Sequence, residues 1–232
     1  MSPQFHRIAI LLLAVVIAST VELTAQNPLE FTWRPAPHIS PGRYYHTETM
    51  LPDHRLLVTG GRRGFKQLES MAIYDPTQNG GIGAWMAFED MFRRRERHQA
   101  TLMPQGWVLI SGGLDNDVPT NQCELVDPAQ QQHQLLPNMN EARYEHTTTL
   151  LPGGKVLAIG SKDYDRGLPT CEIFEPLEVA HSSAPMWRWR RTGSMQFGRG
   201  KHRAVRLLDG RVLVIGGVHN YRPTQTCEAF NI

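Results

Sequence analysis

The sequence predicts an all-β chain, and three observations carry that expectation. Twenty glycines and sixteen prolines among 232 residues exceed what a helical domain tolerates. Eight phenylalanines, five tryptophans and six tyrosines supply the bulk with which sheets pack. One unit of 43 residues recurs four times without an insertion, at 33–75, 85–127, 133–175 and 189–231. With 41% hydrophobic and 20% charged residues, the chain can bury a core and is not a disordered tail. A formal net charge of +2 leaves no dominant basic field, so no nucleic-acid partner is expected.

Residues 1–25 read as an address. Arg7 supplies a positive charge, Ile8 to Ala18 is an almost purely aliphatic run, and Ser19 and Thr20 follow it, which is the pattern of a secretory signal peptide with cleavage after Ala25. The apolar run of 11 residues is well short of the ~20 that span a bilayer as a helix. The mature chain, 26–232, is therefore expected to be secreted or periplasmic, with no stable membrane anchor.

Each unit opens on an aromatic residue or His, then passes an apolar residue, an Arg and a His, and later a Gly and an acidic residue or Asn. The four registers are Trp33, Ile39, Arg43, His46, Gly60, Asp75; Trp85, Met91, Arg95, His98, Gly112, Asp127; His133, Met139, Arg143, His146, Gly160, Glu175; and Trp189, Met195, Arg199, His202, Gly216, Asn231. Length varies only in the connectors 76–84, 128–132 and 176–188, where surface loops absorb it.

Within a unit, the residues after the His form a short strand. A turn such as Pro104-Gln105-Gly106 or Asp209-Gly210 follows, and then a run such as Trp107-Val-Leu-Ile, which together make a β-hairpin. A Gly pair ends the second strand in three units and becomes Gly160-Ser161 in the third. The next strands are Met71 to Tyr74, Cys123 to Val126, Cys171 to Phe174 and Cys227 to Phe230, and the aromatic-led segment is the fourth strand. The first unit thus begins on an orphan fourth strand around Trp33, and the last ends after its third. The sequence predicts that Trp33 pairs with Cys227 to Asn231 and closes a ring without exposed edges. A four-bladed ring, an eight-bladed ring from two chains, which makes a homodimer, and a fragment of a longer array all satisfy these strand ends.

Cys123, Cys171 and Cys227 occupy one equivalent place in the repeat, and Met71 fills it in the first unit. Equivalent places on neighbouring units lie beyond the ~7 Å Cα limit for a disulfide, so the cysteines read as small buried apolar residues. His46, His98, His146 and His202 would surround one axis, where they either bind a transition metal or support packing within each blade. Their strict register with Arg and Gly favours packing. Arg43, Arg95, Arg143 and Arg199, with Glu124, Glu172 and Glu228, read as charge-assisted ties of the framework. Alternation places Trp187 and Trp189 on one strand face and Arg188 and Arg190 on the other.

These residues together resemble the kelch repeat, in which a small-Glu-x-Tyr-Asp-Pro strand, a Gly pair, a Trp and a Met-x-x-x-Arg step recur once per four-stranded blade of a β-propeller. The resemblance covers essentially all of residues 33–232. It departs at His133, Ile39, Met71-Ala72 and Ser161. It implies a β-propeller with four blades in this chain, whose binding residues sit on the face carrying the loops between second and third strands and the turns before the first. Candidate ligand contacts there are Arg62, Arg63, Phe65, Arg93, Arg94, Asp115, Asn116, Tyr164, Arg166, His219, Asn220, Tyr221 and Arg222, since Arg and Tyr on loops of a rigid scaffold suit protein or sugar recognition. No nucleophile elbow, zinc-protease helix or phosphate loop occurs, so the chain reads as a non-catalytic binder of a protein or glycan, with no catalytic residue, metal or cofactor assigned. The alternative that the resemblance implies is an extracellular copper oxidase or other carbohydrate-active enzyme similar to galactose oxidase, although no residue matches that copper site.

Overall fold

A computed structural model of the chain describes residues 33–161, 167–177 and 186–232. The signal peptide expected at 1–25 lies outside the described residues. Ala36–Ile232 form one compact unit. No helix among the described residues is long and apolar enough to cross a membrane.

The strands follow one plan. The first group is β1 (Thr47–Met50), β2 (Leu56–Thr59), a short hairpin β3 (Arg62–Arg63) and β4 (Lys66–Gln67), then β5 (Met71–Asp75) and β6 (Ala84–Phe88). The second repeats it as β7 (Gln99–Leu102), β8 (Val108–Ser111), β9 (Leu114–Asp115), β10 (Val118–Pro119), β11 (Cys123–Asp127) and β12 (Gln132–Leu136). The third comprises β13 (Thr147–Leu150), β14 (Val156–Ile159), β15 (Cys171–Leu177) and β16 (Met186–Thr192). The fourth comprises β17 (Arg203–Arg206), β18 (Val212–Ile215), β19 (Val218–His219), β20 (Arg222–Pro223) and β21 (Cys227–Phe230).

The main strands pair antiparallel in meanders, β1-β2-β5-β6, β7-β8-β11-β12, β13-β14-β15-β16 and β17-β18-β21. From the second unit on, each segment led by Trp or His is the outer strand of the preceding sheet, so Trp85 on β6 pairs with Tyr74, and Trp189 on β16 pairs with Phe174. Sequence repeat and sheet are out of phase by one strand. The fourth sheet has three strands among the described residues. Trp33 lies in no strand among the described residues, and most of the segment expected to pair with Cys227 to Asn231, Phe31 and Thr32, lies outside them. Pro35 and Pro37, two and four residues on, lack the N–H groups that a ladder needs and push Arg34 and Ala36 toward isolated extended conformations.

The sheets stack face to face, with β1 against β7, β7 against β13 and β13 against β17. This explains why the second strand of each sheet carries three or more consecutive apolar residues and does not alternate. Val108 and Ile110 pack with Leu57, Met71 and Ile73 of the first sheet, while Leu109 packs with Val156, Ala158 and Phe174 of the third. All four residues of β8 are buried because both faces of that sheet are covered. Trp187 and Trp189 share one face of β16 as expected, with ring centroids 4.8 and 5.1 Å from that of Phe174.

Cys123 and Cys171 are free and buried in these inter-sheet layers, whereas Cys227 is free and exposed, contrary to the reading of all three as buried. Its strand has the same pattern as the others, but no following sheet covers it among the described residues.

Candidate ligand-binding site

The framework comes first, because it sets where the variable side chains point. In each unit the Arg folds back on its own sheet. Arg143 Nη1 donates to the carbonyls of Gly160 and Thr170 at 2.8 and 2.9 Å, and Nη2 donates to Glu172 Oε1 at 3.0 Å. Arg95 makes the same bonds to Gly112, Gln122 and Glu124, and Arg199 to Gly216, Thr226 and Glu228. Each Glu also accepts a backbone N–H from the turn before the Arg, as Glu124 Oε2 does from Phe92 at 3.0 Å. A buried ion pair of this kind is held by its surrounding hydrogen bonds as much as by its charges. Where Ala72 replaces the Glu, Arg43 keeps the bonds to the Ser70 carbonyl at 2.9 Å and hydroxyl at 3.0 Å, the counterparts of those Arg143 makes to Thr170, without the carboxylate.

The Arg thereby anchors the turn that leads into the innermost strand. The residue just before each repeated His then takes a left-handed backbone conformation: Tyr45 at φ 57°, Arg97 at 54°, Glu145 at 50° and Lys201 at 53°. Such a conformation in a residue with a Cβ costs about 1–2 kcal/mol, so the tertiary framework enforces it. These side chains line a cavity of about 640 Å³ among the innermost strands, together with Gln99, Thr148 and Arg203. The guanidinium carbon of Arg97 lies 3.9 Å from the Tyr45 ring centroid, and Arg97 Nη1 donates to Glu145 Oε1 at 2.5 Å. An aromatic face, a cation and an anion are thus linked in series around the wall.

The four histidines line the same cavity, and three of them serve the framework. His98 Nε2 lies 2.8 Å from Thr59 Oγ1, His146 Nε2 3.2 Å from Ser111 Oγ and His202 Nε2 2.8 Å from Thr147 Oγ1, so each bridges to the preceding sheet. Burial, reinforced by the neighbouring Arg, pushes His98 well below the usual histidine range, His146 to about 3 and His202 to about 4. They are neutral imidazoles at pH 7. Among the described residues no group of three or more His, Cys, Asp or Glu side chains is placed to hold a metal ion.

The loop hairpins occupy the same end of the sheets. Isolated bridges join Tyr44 to Arg62, Glu96 to Leu114 and Gly200 to Val218, tying each hairpin to the turn before an innermost strand. Arg62 is spent on its neighbours: Nη1 donates to Glu96 Oε1 and Asp117 Oδ1, each at 2.9 Å. Gln67 Oε1 accepts the Asn116 N–H at 2.5 Å, so β3–β4 and β9–β10 form one connected rim. Asp115 is half-buried beside them on β9. Phe65 is fully exposed at the first tip, and Arg63, Arg93, Tyr221 and Arg222 are exposed, while Arg94 lies 3.8 Å from Glu69. His219 Nδ1 bonds the Gly198 carbonyl at 2.6 Å, and Asn220 Nδ2 bonds His219 Nε2 at 2.9 Å. Tyr164 and Arg166 lie outside the described residues.

None of the expected contact residues that are described lines the central cavity. Those on the bridged hairpins lie at the same end of the sheets, while Tyr45, Arg97, Glu145 and Lys201 line the cavity itself. A sequence signal for the wall did exist: in four units whose Arg and His repeat without change, the position just before the His reads Tyr, Arg, Glu and Lys. The run at Arg93 to Arg97 also divides by environment, with Arg95 and Glu96 buried and Arg97 turned to the cavity. A second cavity, of about 480 Å³, opens beside His133, which stands in the place of the outer Trp and stacks on Phe92 with ring centroids 4.3 Å apart.

No protein-family model matches this chain, and no curated protein matches it in sequence. Solved structures do. YjhT, a kelch-type β-propeller, is similar with a TM-score of 0.63 and 13% identity, over 80% of this chain and 62% of its own. A fungal copper-bound alcohol oxidase of the AA5 family is similar with a TM-score of 0.49 and 15% identity, over 82% of this chain and 51% of its own. The chain thus spans less than two thirds of the length of either. The likeness to YjhT defines the class by its fold: an all-β, β-propeller-like protein of antiparallel sheets.

Proposed function

We propose that this chain is an exported, non-catalytic recognition module of four kelch-type blades, which binds a protein or glycan ligand on its loop face. The ligand enters the central cavity, against Tyr45, Arg97, Glu145 and Lys201. One observation carries this reading: a single strained backbone position, shared by all four units, delivers chemically different side chains to one cavity, while the framework around it is repeated. Packing alone has no use for such variety at a fixed, costly position. An aromatic face with flanking charges and amides suits sugar hydroxyls or a polar protein loop. Export rests on the apolar run Ile8 to Ala18 after Arg7.

The test is a glycan array and an exported-protein capture screen, followed by titration calorimetry on the strongest hit. The double substitution Tyr45→Ala with Lys201→Ala is expected to abolish capture, with a melting temperature close to the parent's, since alanine keeps the Cβ and with it the same left-handed backbone cost. Undiminished capture would take the cavity out of consideration. Stoichiometric copper with turnover of primary alcohols would overturn the non-catalytic reading.

A further inference from the structure

Every internal junction between sheets uses the same two half-sites. The leading half is the turn carrying an apolar residue, Arg and His. The receiving half is the preceding sheet, its Gly pair and the end of its short hairpin. The N–H groups of Gly61, Gly113 and Ser161 donate to the carbonyls of Arg95, Arg143 and Arg199 at 2.8, 2.7 and 3.1 Å. In return the N–H groups of Met91, Met139 and Met195 donate to the carbonyls of Glu69, Asn121 and Pro169 at 2.9, 2.9 and 2.8 Å.

Among the described residues, nothing fills the receiving half of the fourth sheet. At Gly60, Gly112 and Gly160 an added Cβ would meet the next unit's Arg carbonyl at 2.4, 2.3 and 2.8 Å, with its His Cε1 at 2.9 Å each time. At Gly216 the nearest such atom is the Thr224 carbonyl of its own sheet's loop, at 3.5 Å. Ile215 is 44% exposed where Ile159 is 1% exposed. Cys227 and Ala229 are exposed where Cys171 and Ile173 are buried. The first sheet presents the converse, a leading half already shaped for docking. Arg43 is anchored to the Gly60 and Ser70 carbonyls at 3.0 and 2.9 Å as the other three arginines are to theirs, yet Ile39, Arg43 and His46 are only half-buried.

We propose that the outward face of the fourth sheet, around Ile215, Gly216 and Cys227, docks residues 39–46 of a second copy of this chain. The occupant follows from complementarity: this chain displays the one segment whose three internal copies fill this cradle. Head-to-tail docking is heterologous, so it closes a ring when the rotation allows and extends a chain of copies when it does not.

Light scattering after size exclusion, over about a hundredfold range of concentration, should give mass rising to two or more copies. Ile215→Arg should weaken association about tenfold or more, as loss of a central apolar anchor does, with a melting temperature close to the parent's. A second variant tests contact directly. Met139 shares a cluster with Cys123, and Met195 packs with Cys171, so Ile39→Cys should come against Cys227 across the junction. Under mild oxidation it should give a disulfide between chains at twice the chain mass or higher multiples, lost on adding Cys227→Ala. A disulfide at the mass of one chain would mean that the array closes on itself, and would overturn the proposal. So would a single-chain mass at every concentration with no disulfide.

Discussion

Acidification from pH 7 to pH 5 is expected to destabilise this protein steeply, through the histidines that bridge its sheets. His146 and His202 are buried, accept no compensating charge and lie beside Arg143 and Arg199, which hold them to about 3 and about 4 in the folded state. Unfolded, each returns to its ordinary 6.5. A depressed folded value means that the unfolded chain binds protons first. The contribution is therefore complete above pH 6.5 and is lost as pH falls toward the folded values. At pH 5 each unfolded histidine gains about 2 kcal/mol from protonation that its folded counterpart does not share, so the pair removes about 4 kcal/mol. His98, shifted in the same direction, adds to this. The loss is a large part of the 5–15 kcal/mol typical of a domain. Carboxylates act in a lower window, since Glu175, held to about 2 chiefly by Arg190 and Arg188, loses its share only as pH drops below 4.5. Urea unfolding at half-unit steps between pH 7.5 and 5 measures the slope, expected to approach 1.4 kcal/mol per pH unit per histidine, a value set by about one proton taken up. A stability flat over this range would refute the reasoning. So would NMR resonances of His146 and His202 that titrate near 6 in the folded protein.

Two further predictions concern the framework. Arg143→Ala should cost about 3–5 kcal/mol by leaving the Glu172 carboxylate buried without its partner, and adding Glu172→Gln should recover part of the loss. By contrast Arg55→Ala, which breaks an exposed pair with Asp53, should cost under about 1 kcal/mol, and equal costs in chemical denaturation would argue against a buried tie. Gly112→Ala places a Cβ 2.3 Å from the Arg143 carbonyl, whereas Gly153→Ala meets nothing within 4 Å at a comparable positive φ. The second should cost about 1–2 kcal/mol and the first clearly more, since only there does backbone block the side chain. Similar melting temperatures for the two variants would mean that the junction yields.

Much of the fold was legible because each unit encodes its own sheet. The hairpin turns, the Arg-Glu ties and the shared face of Trp187 and Trp189 all follow from short-range patterns repeated in register. Even the burial of Cys123 and Cys171 could be read from their place in the unit. What a unit does not encode is its neighbour. Cys227 has the same local sequence as Cys171 and the opposite exposure, because burial of a sheet face depends on which sheet lies over it. Trp33 matches the aromatic position of Trp85 and Trp189, yet it joins no strand, with proline two residues on. The candidate site divides in the same way. Its rim of charged hairpins was visible as loop composition, but the link from Arg62 to Asp117 spans 55 positions and two sheets. The cavity wall needed the tertiary structure most, since Tyr45, Arg97, Glu145 and Lys201 meet only when four separate turns, each anchored by the Arg two residues before it and held in a left-handed conformation, converge among the innermost strands.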